Sequence, residues 1–139
     1  MRIHKIVGDG NCLFGSCAFY LGINSYQLRQ RVVAFIRENP HFIINGTCLT
    51  EWFRMVNHDP MKYADSIEKN GTFGTGLDLM IISIAYQRSI CVMKKGKCKK
   101  CKSQCFEQID HYFKELGKTM YLYFSGSPQS GHYDVLLED

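Results

Sequence analysis

The sequence contains no apolar run approaching the roughly 20 residues that cross a bilayer, so no membrane span is expected. Its first stretch, Met1-Arg2-Ile3-His4-Lys5-Ile6-Val7-Gly8, is interrupted by charge too soon to read as a secretory signal. A strong charge of either sign is missing as well: the net charge is +4. Six of the seventeen basic residues (Lys94, Lys95, Lys97, Lys99, Lys100 and Lys102) fall within nine positions, and the rest of the chain is slightly acidic. A local basic loop of this kind does not make a nucleic-acid binder. Internal repeats, linkers and low-complexity segments are absent. With 139 residues the chain can bury one core without covalent staples, so a single domain over 1–139 is expected. An even cysteine count is also lacking. Seven cysteines and no secretory signal point to free thiols in a reducing intracellular compartment, in the cytoplasm of a cell or of an infected host cell.

What the sequence does hold is concentrated at its two ends. Asp9-Gly10-Asn11-Cys12-Leu13-Phe14 is a glycine-bearing turn that delivers a cysteine to the start of an apolar helix. A thiol there faces unpaired backbone N–H groups and the positive end of the helix dipole, both of which favour an anion. Those N–H groups, from Asp9, Gly10, Asn11 and Cys12, also suit an oxyanion developing on a carbonyl under attack. Far downstream comes Gly131-His132-Tyr133-Asp134-Val135-Leu136-Leu137. In a strand, residues i and i+2 share a face, so Asp134 can lie beside the His132 imidazole. Nucleophile, general base and an orienting acid are therefore all available in Cys12, His132 and Asp134. Asp9, close to the nucleophile, is the alternative acid. His4, His41, His58 and His111 carry no such pattern and read as surface or packing residues.

Between these ends the periodicity predicts a short strand at 3–7 and a helix from Leu13 to Leu21 capped by Gly22. A second helix follows Asn24 or Ser25, with Leu28, Val32, Phe35 and Ile36 on one face and Pro40 at its end. A weaker helix is expected over 50–57, and Asp59-Pro60 starts another that runs to about Lys69. Thr75 and Asp78 form a capping box for an apolar helix over 77–86. Strands are expected at 89–93, 119–124 and 133–137, while 105–117 fits either a strand or a short helix. Helices thus precede strands, which predicts an α+β fold with a small, mostly antiparallel sheet flanked by helices.

The two end motifs resemble the signature blocks of the ovarian-tumour (OTU) cysteine proteases. Tyr63 and the stretch Gly71-Thr72-Phe73-Gly74-Thr75-Gly76-Leu77-Asp78-Leu79 resemble that family's middle block, so the likeness runs from residue 6 to residue 137. Phe73 stands where the family commonly has tryptophan, and Thr75 where a second glycine often lies. The resemblance implies a papain-like catalytic domain that needs no metal or organic cofactor. It implies a monomeric deubiquitinase acting on ubiquitin or polyubiquitin, with Phe73, Gly74, Gly131 and Tyr133 near the substrate tail. Acidic residues there would suit the arginines of that tail, with Asp65, Glu68 and Asp78 as candidates. Peptidase action on another ubiquitin-like modifier or on a polyprotein, and a silent ubiquitin-binding module, are the alternatives. Cys91, Cys98, Cys101 and Cys105 raise a separate possibility, structural zinc. Only one Cys-x₂-Cys pair is present, so a solvated basic loop is the preferred reading, with no metal site.

Overall fold

The computed structural model describes residues 1–96, 105–127 and 131–138. Elements run β1 (Arg2–His4), α1 (Cys12–Leu21), α2 (Ser25–Glu38), β2 (Ile43–Ile44), β3 (Thr47–Cys48), α3 (Leu49–Arg54), α4 (Pro60–Ile67) and α5 (Gly76–Tyr86). The sheet strands β4 (Ile90–Lys95), β5 (Phe106–Tyr112), β6 (Met120–Ser125) and β7 (His132–Leu137) complete the chain. The architecture is the expected α+β arrangement. Five strands lie in the order β1-β7-β6-β4-β5, antiparallel except for the β4–β6 pair.

Among the described residues, three of the five helices, α2, α4 and α5, begin at side-chain caps. Asn24 and Gln27 form a reciprocal capping box at the head of α2, and Thr75 and Asp78 do the same for α5. Asp59 accepts from the Lys62 amide ahead of Pro60 in α4. Three ends differ from expectation. The first strand stops at His4, α3 covers only Leu49–Arg54, and α4 ends at Ile67 rather than near Lys69. The ambiguous 105–117 segment is strand β5 followed by a 3-10 turn at Lys114–Leu116. The small β2–β3 hairpin was not anticipated. Its two-residue turn is Asn45-Gly46, both with positive φ, a pairing that matches the twist of the flanking strands.

One apolar core joins the layers. Phe14 and Cys17 of α1, Leu28, Val32, Val33 and Ile36 of α2, and Ile81 and Ile82 of α5 pack with Ile90, Val92, Met120 and Leu122 of the sheet. Phe35, expected on the α2 core face, is only half-buried and stacks edge-on against Phe42, while Val33 takes its place inside. Cys12, Cys17, Cys48 and Cys91 are free thiols. Cys91 is buried in β4 with its thiol toward Gln108, whereas Cys98 and Cys101 lie outside the described residues. Among the described residues no group of His, Cys, Asp and Glu side chains has a metal-holding arrangement, and no helix is long and apolar enough to cross a membrane.

Candidate active site

Helix α1 is fastened to β7 by three side chains at helical spacing. The Tyr133 amide donates to Cys12 Sγ at 3.5 Å, Ser16 Oγ donates to the Tyr133 carbonyl at 3.1 Å, and Tyr20 OH donates to the Leu136 carbonyl. Residues 12, 16 and 20 fall on one face of a helix, so a single docking event sets all three contacts. The head of α1 is thereby held against the strand that begins at His132.

On that strand the i, i+2 relation has the expected result. His132 Nε2 lies 2.8 Å from Asp134 Oδ1, with Asp134 fully buried and His132 29% exposed. The Ile6 amide donates to the same Oδ1 at 2.8 Å, and Lys5 Nζ stands 3.6 Å from Oδ2. With Nε2–H donating to Asp134, Nδ1 is the ring nitrogen left to accept a proton. Gly8 flanks that edge: a methyl group on it would sit 3.5 Å from Nδ1. Asp9 is engaged otherwise. Its carboxylate folds back on its own turn and accepts from the Asn11 amide at 3.1 Å.

Cys12 is almost fully buried and borders a cleft of about 570 Å³. One wall is Phe73, Gly74, Thr75 and Gly76; the other includes Gly131 and Tyr133. Phe73 stands half-exposed at the rim. Burial is the main cause that pushes the Tyr133 hydroxyl up to about 12, so the ring presents a neutral face. Thr75, the departure from the family pattern, caps α5 and also bonds Tyr63 OH at 2.7 Å.

The acids proposed for the cleft lie elsewhere. Asp65 and Glu68 hold Arg37 on the outer surface, and Asp78 is fully buried, accepting from Tyr63 OH at 2.5 Å and the Thr75 amide at 2.8 Å. Burial pushes the Asp78 carboxyl up to about 6 against the opposing effect of those bonds. Among the described residues, the acid that borders the cleft is Asp110 of β5, near Ile109 and Tyr112. Sequence reasoning missed this because 105–117 had no settled period, and the alternating side chains of a strand were needed to aim Asp110.

The model of the OTU-like cysteine protease family matches residues 7–133. The RNA replication protein of Citrus leprosis virus C is 30% identical over 99 residues, which cover 69% of this chain and 4% of that protein. The chain therefore spans a small fraction of that relative's length. Among solved structures, an OTU deubiquitinase from Wolbachia pipientis wMel bound to ubiquitin is similar at TM-score 0.66 and 18% identity, over 99% of this chain and 95% of that one. The viral OTU domain protease of Dera Ghazi Khan virus is similar at TM-score 0.66 and 16% identity, over 99% and 81%. These two likenesses speak for the fold. The family match spans the helix-head cysteine, the middle loop and the start of the histidine strand, and the chain belongs to the OTU-like cysteine protease family.

Proposed function

We propose that residues 1–139 form one catalytic domain, a deubiquitinase that hydrolyses the isopeptide bond after the C-terminal glycine of ubiquitin. The observation that carries this reading is the 2.8 Å His132–Asp134 pair beside a helix-head thiol at the edge of a cleft. Cys12 Sγ attacks the glycine carbonyl, and His132 Nδ1 takes the thiol proton. The tetrahedral oxyanion is met by the backbone of Asp9, Gly10, Asn11 and Cys12, with the Cys12 amide at the helix head as the main donor because the Asn11 amide already serves Asp9. Collapse of the intermediate breaks the C–N bond, and the lysine amine leaves with the proton from His132. Water, deprotonated by the same imidazole, then hydrolyses the thioester and frees Cys12. Asp134 holds the ring throughout, which is why it rather than Asp9 is assigned the orienting role.

The extended tail would lie between Phe73-Gly74 and Gly131-Tyr133, with Asp110 placed for one of its arginines. The solved OTU protein bound to ubiquitin supports the choice of substrate. The domain works as a monomer in a reducing cytoplasm, of a cell or of an infected host cell.

The test is reaction with ubiquitin carrying a thiol-reactive group at its C-terminus, for wild type, Cys12→Ala and His132→Ala. A covalent adduct is expected with wild type and lost in Cys12→Ala. A folded wild-type protein that forms no adduct overturns the assignment to ubiquitin. Peptidase action on another ubiquitin-like modifier would then be read from the equivalent probe.

A further inference from the structure

Among the described residues, Arg29 is the largest side chain that is fully buried, and no carboxylate among them bonds it. Its two terminal nitrogens meet neutral acceptors, while its buried Nε has no hydrogen-bond partner among the described residues. Nη1 donates to the Ile67 carbonyl at 2.8 Å; Nη2 donates to Asn11 Oδ1 at 2.6 Å and to the Gly10 carbonyl at 3.3 Å. The Phe14 ring centroid lies 4.4 Å from the guanidinium carbon, a cation–π contact that helps to hold the charge. Burial lowers the Arg29 pKa below its ordinary value, with Asp78 and Asp9 opposing from a distance. A buried ion is costly, and an apolar side chain of similar volume often serves stability as well. The use of this one is therefore to be sought in where its donors go.

One side of the fork goes to the turn ahead of Cys12, at Gly10 and Asn11, and the other to the last residue of α4, Ile67. Asn11 Oδ1, fixed by Arg29, also accepts the Gly71 amide at 3.0 Å. Here the two backbones touch: a Cβ on Gly10 would lie 1.9 Å from the Gly71 carbonyl oxygen, and both glycines have positive φ. The same guanidinium anchors the end of α4 through Ile67, four residues before Gly71. One fork thus ties the nucleophile turn, the start of the Phe73 wall and the helix that leads into it.

We propose that Arg29 is a positioning residue for the thiol chemistry: it locks the turn that supplies the oxyanion donors to the loop that forms the substrate wall. The proposal rests on the hydrolase reading for its kinetic consequence and on the loop contacts alone for its structural one. Lysine keeps the charge but has no planar fork, so it cannot serve Ile67 and Asn11 together.

In Arg29→Lys, kcat on ubiquitin C-terminal aminocoumarin amide is expected to fall about 10²-fold, the scale set by misplaced oxyanion donors. KM changes less. Alkylation of Cys12 by iodoacetamide forms no oxyanion, so it is expected to stay within about threefold of wild type. A merely structural role would lower both rates in proportion to the folded fraction, and that result, or an unchanged kcat, overturns the proposal. If wild type does not hydrolyse the ubiquitin amide, the functional reading fails and the lock is read by native-state hydrogen exchange. Exchange at the Gly71 amide is then expected to speed at least about tenfold in Arg29→Lys, with the Leu122 amide of the central sheet unchanged. Equal exchange at Gly71 overturns it. Should Arg29→Lys not fold, Arg29→Gln leaves the Asn11–Gly71 bond its own acceptor but cannot span Ile67 and Asn11 with one short amide. The same acceleration at Gly71 is expected there.

Discussion

The strand that carries His132 and Asp134 and the turn that carries Cys12 meet at one cleft, yet they are held by different means. On β7 the pairing is local: two residues apart on one strand face, with the ring and carboxylate in contact at 2.8 Å. The Cys12 turn takes its shape from remote residues, with Arg29, Gly71 and Tyr133 all bonding within it. The ring and carboxylate meet without help from other segments, although the carboxylate also takes the Ile6 amide. The turn is as sound as the farthest residue that supports it.

Removing the acid breaks the strand side most directly. Asp134→Ala is expected to lower kcat by on the order of 10²–10⁴-fold, as loss of a group that orients a catalytic histidine does, while Asp9→Ala costs less. Asp134→Asn should recover most of the loss, because its carbonyl oxygen can accept from both His132 and the Ile6 amide. Steady-state kinetics on a ubiquitin amide decide between them, and equal losses from Asp9→Ala and Asp134→Ala would reverse the assignment of the acid.

On the loop side, Gly10→Ala forces a methyl group into the Gly71 carbonyl and a side chain into a left-handed backbone. A loss of about 3 kcal/mol or more in stability is expected by denaturant titration, with activity falling alongside. Gly22→Ala also has positive φ but meets no atom within 4 Å, and should cost only about 1 kcal/mol. Similar losses at the two sites would show that the loop contact matters less than backbone conformation.

Asp78 tests the underside of the substrate wall through pH. Its folded value of about 6 lies above the ordinary 3.8, so the folded state binds its proton more tightly than the unfolded chain. Its stabilising contribution is complete below about pH 4 and is lost as pH rises through 6, a change on the order of 2–3 kcal/mol. Asp78→Asn should flatten that part of the stability profile. An unchanged profile would assign the pH dependence to another group.

The smallest effect is expected at Lys5. Its side chain is 79% exposed and 3.6 Å from Asp134 Oδ2, so Lys5→Ala should change kcat/KM by less than about fivefold, and less still at high salt.

This contrast also explains what was legible beforehand. The His132–Asp134 contact followed from a period of two, and the helix starts from Asn24 or Ser25 for α2, the Asp59-Pro60 pair for α4 and the Thr75/Asp78 box for α5. The helix-head position of Cys12 followed from its turn. Arg29 left a signal that was passed over: it sits three, four and seven residues before Val32, Val33 and Ile36, squarely on the buried face of α2. A charge inside an apolar stripe asks for partners, but nothing in the pattern could say that they lie at Asn11 and Ile67. The Asn45-Gly46 hairpin signal was equally present and was obscured by two-residue strands. Asp65 and Glu68 were misassigned because helical spacing alone does not tell which polar face meets the cleft.

The Ile6 amide gives the domain a chemical edge as well as a folded one. Asp134 Oδ1 shares its electron pairs between the His132 ring and a backbone donor that belongs to the segment just after β1. A protein shortened to begin at Val7 would keep five helices and four of the five strands of the main sheet, yet its acid would lose a fixed donor and its neighbouring ammonium. In any longer chain that contains this domain, a cut ahead of Arg2 would leave the Asp134 carboxylate bracketed, and a cut after Ile6 would strip it of both contacts.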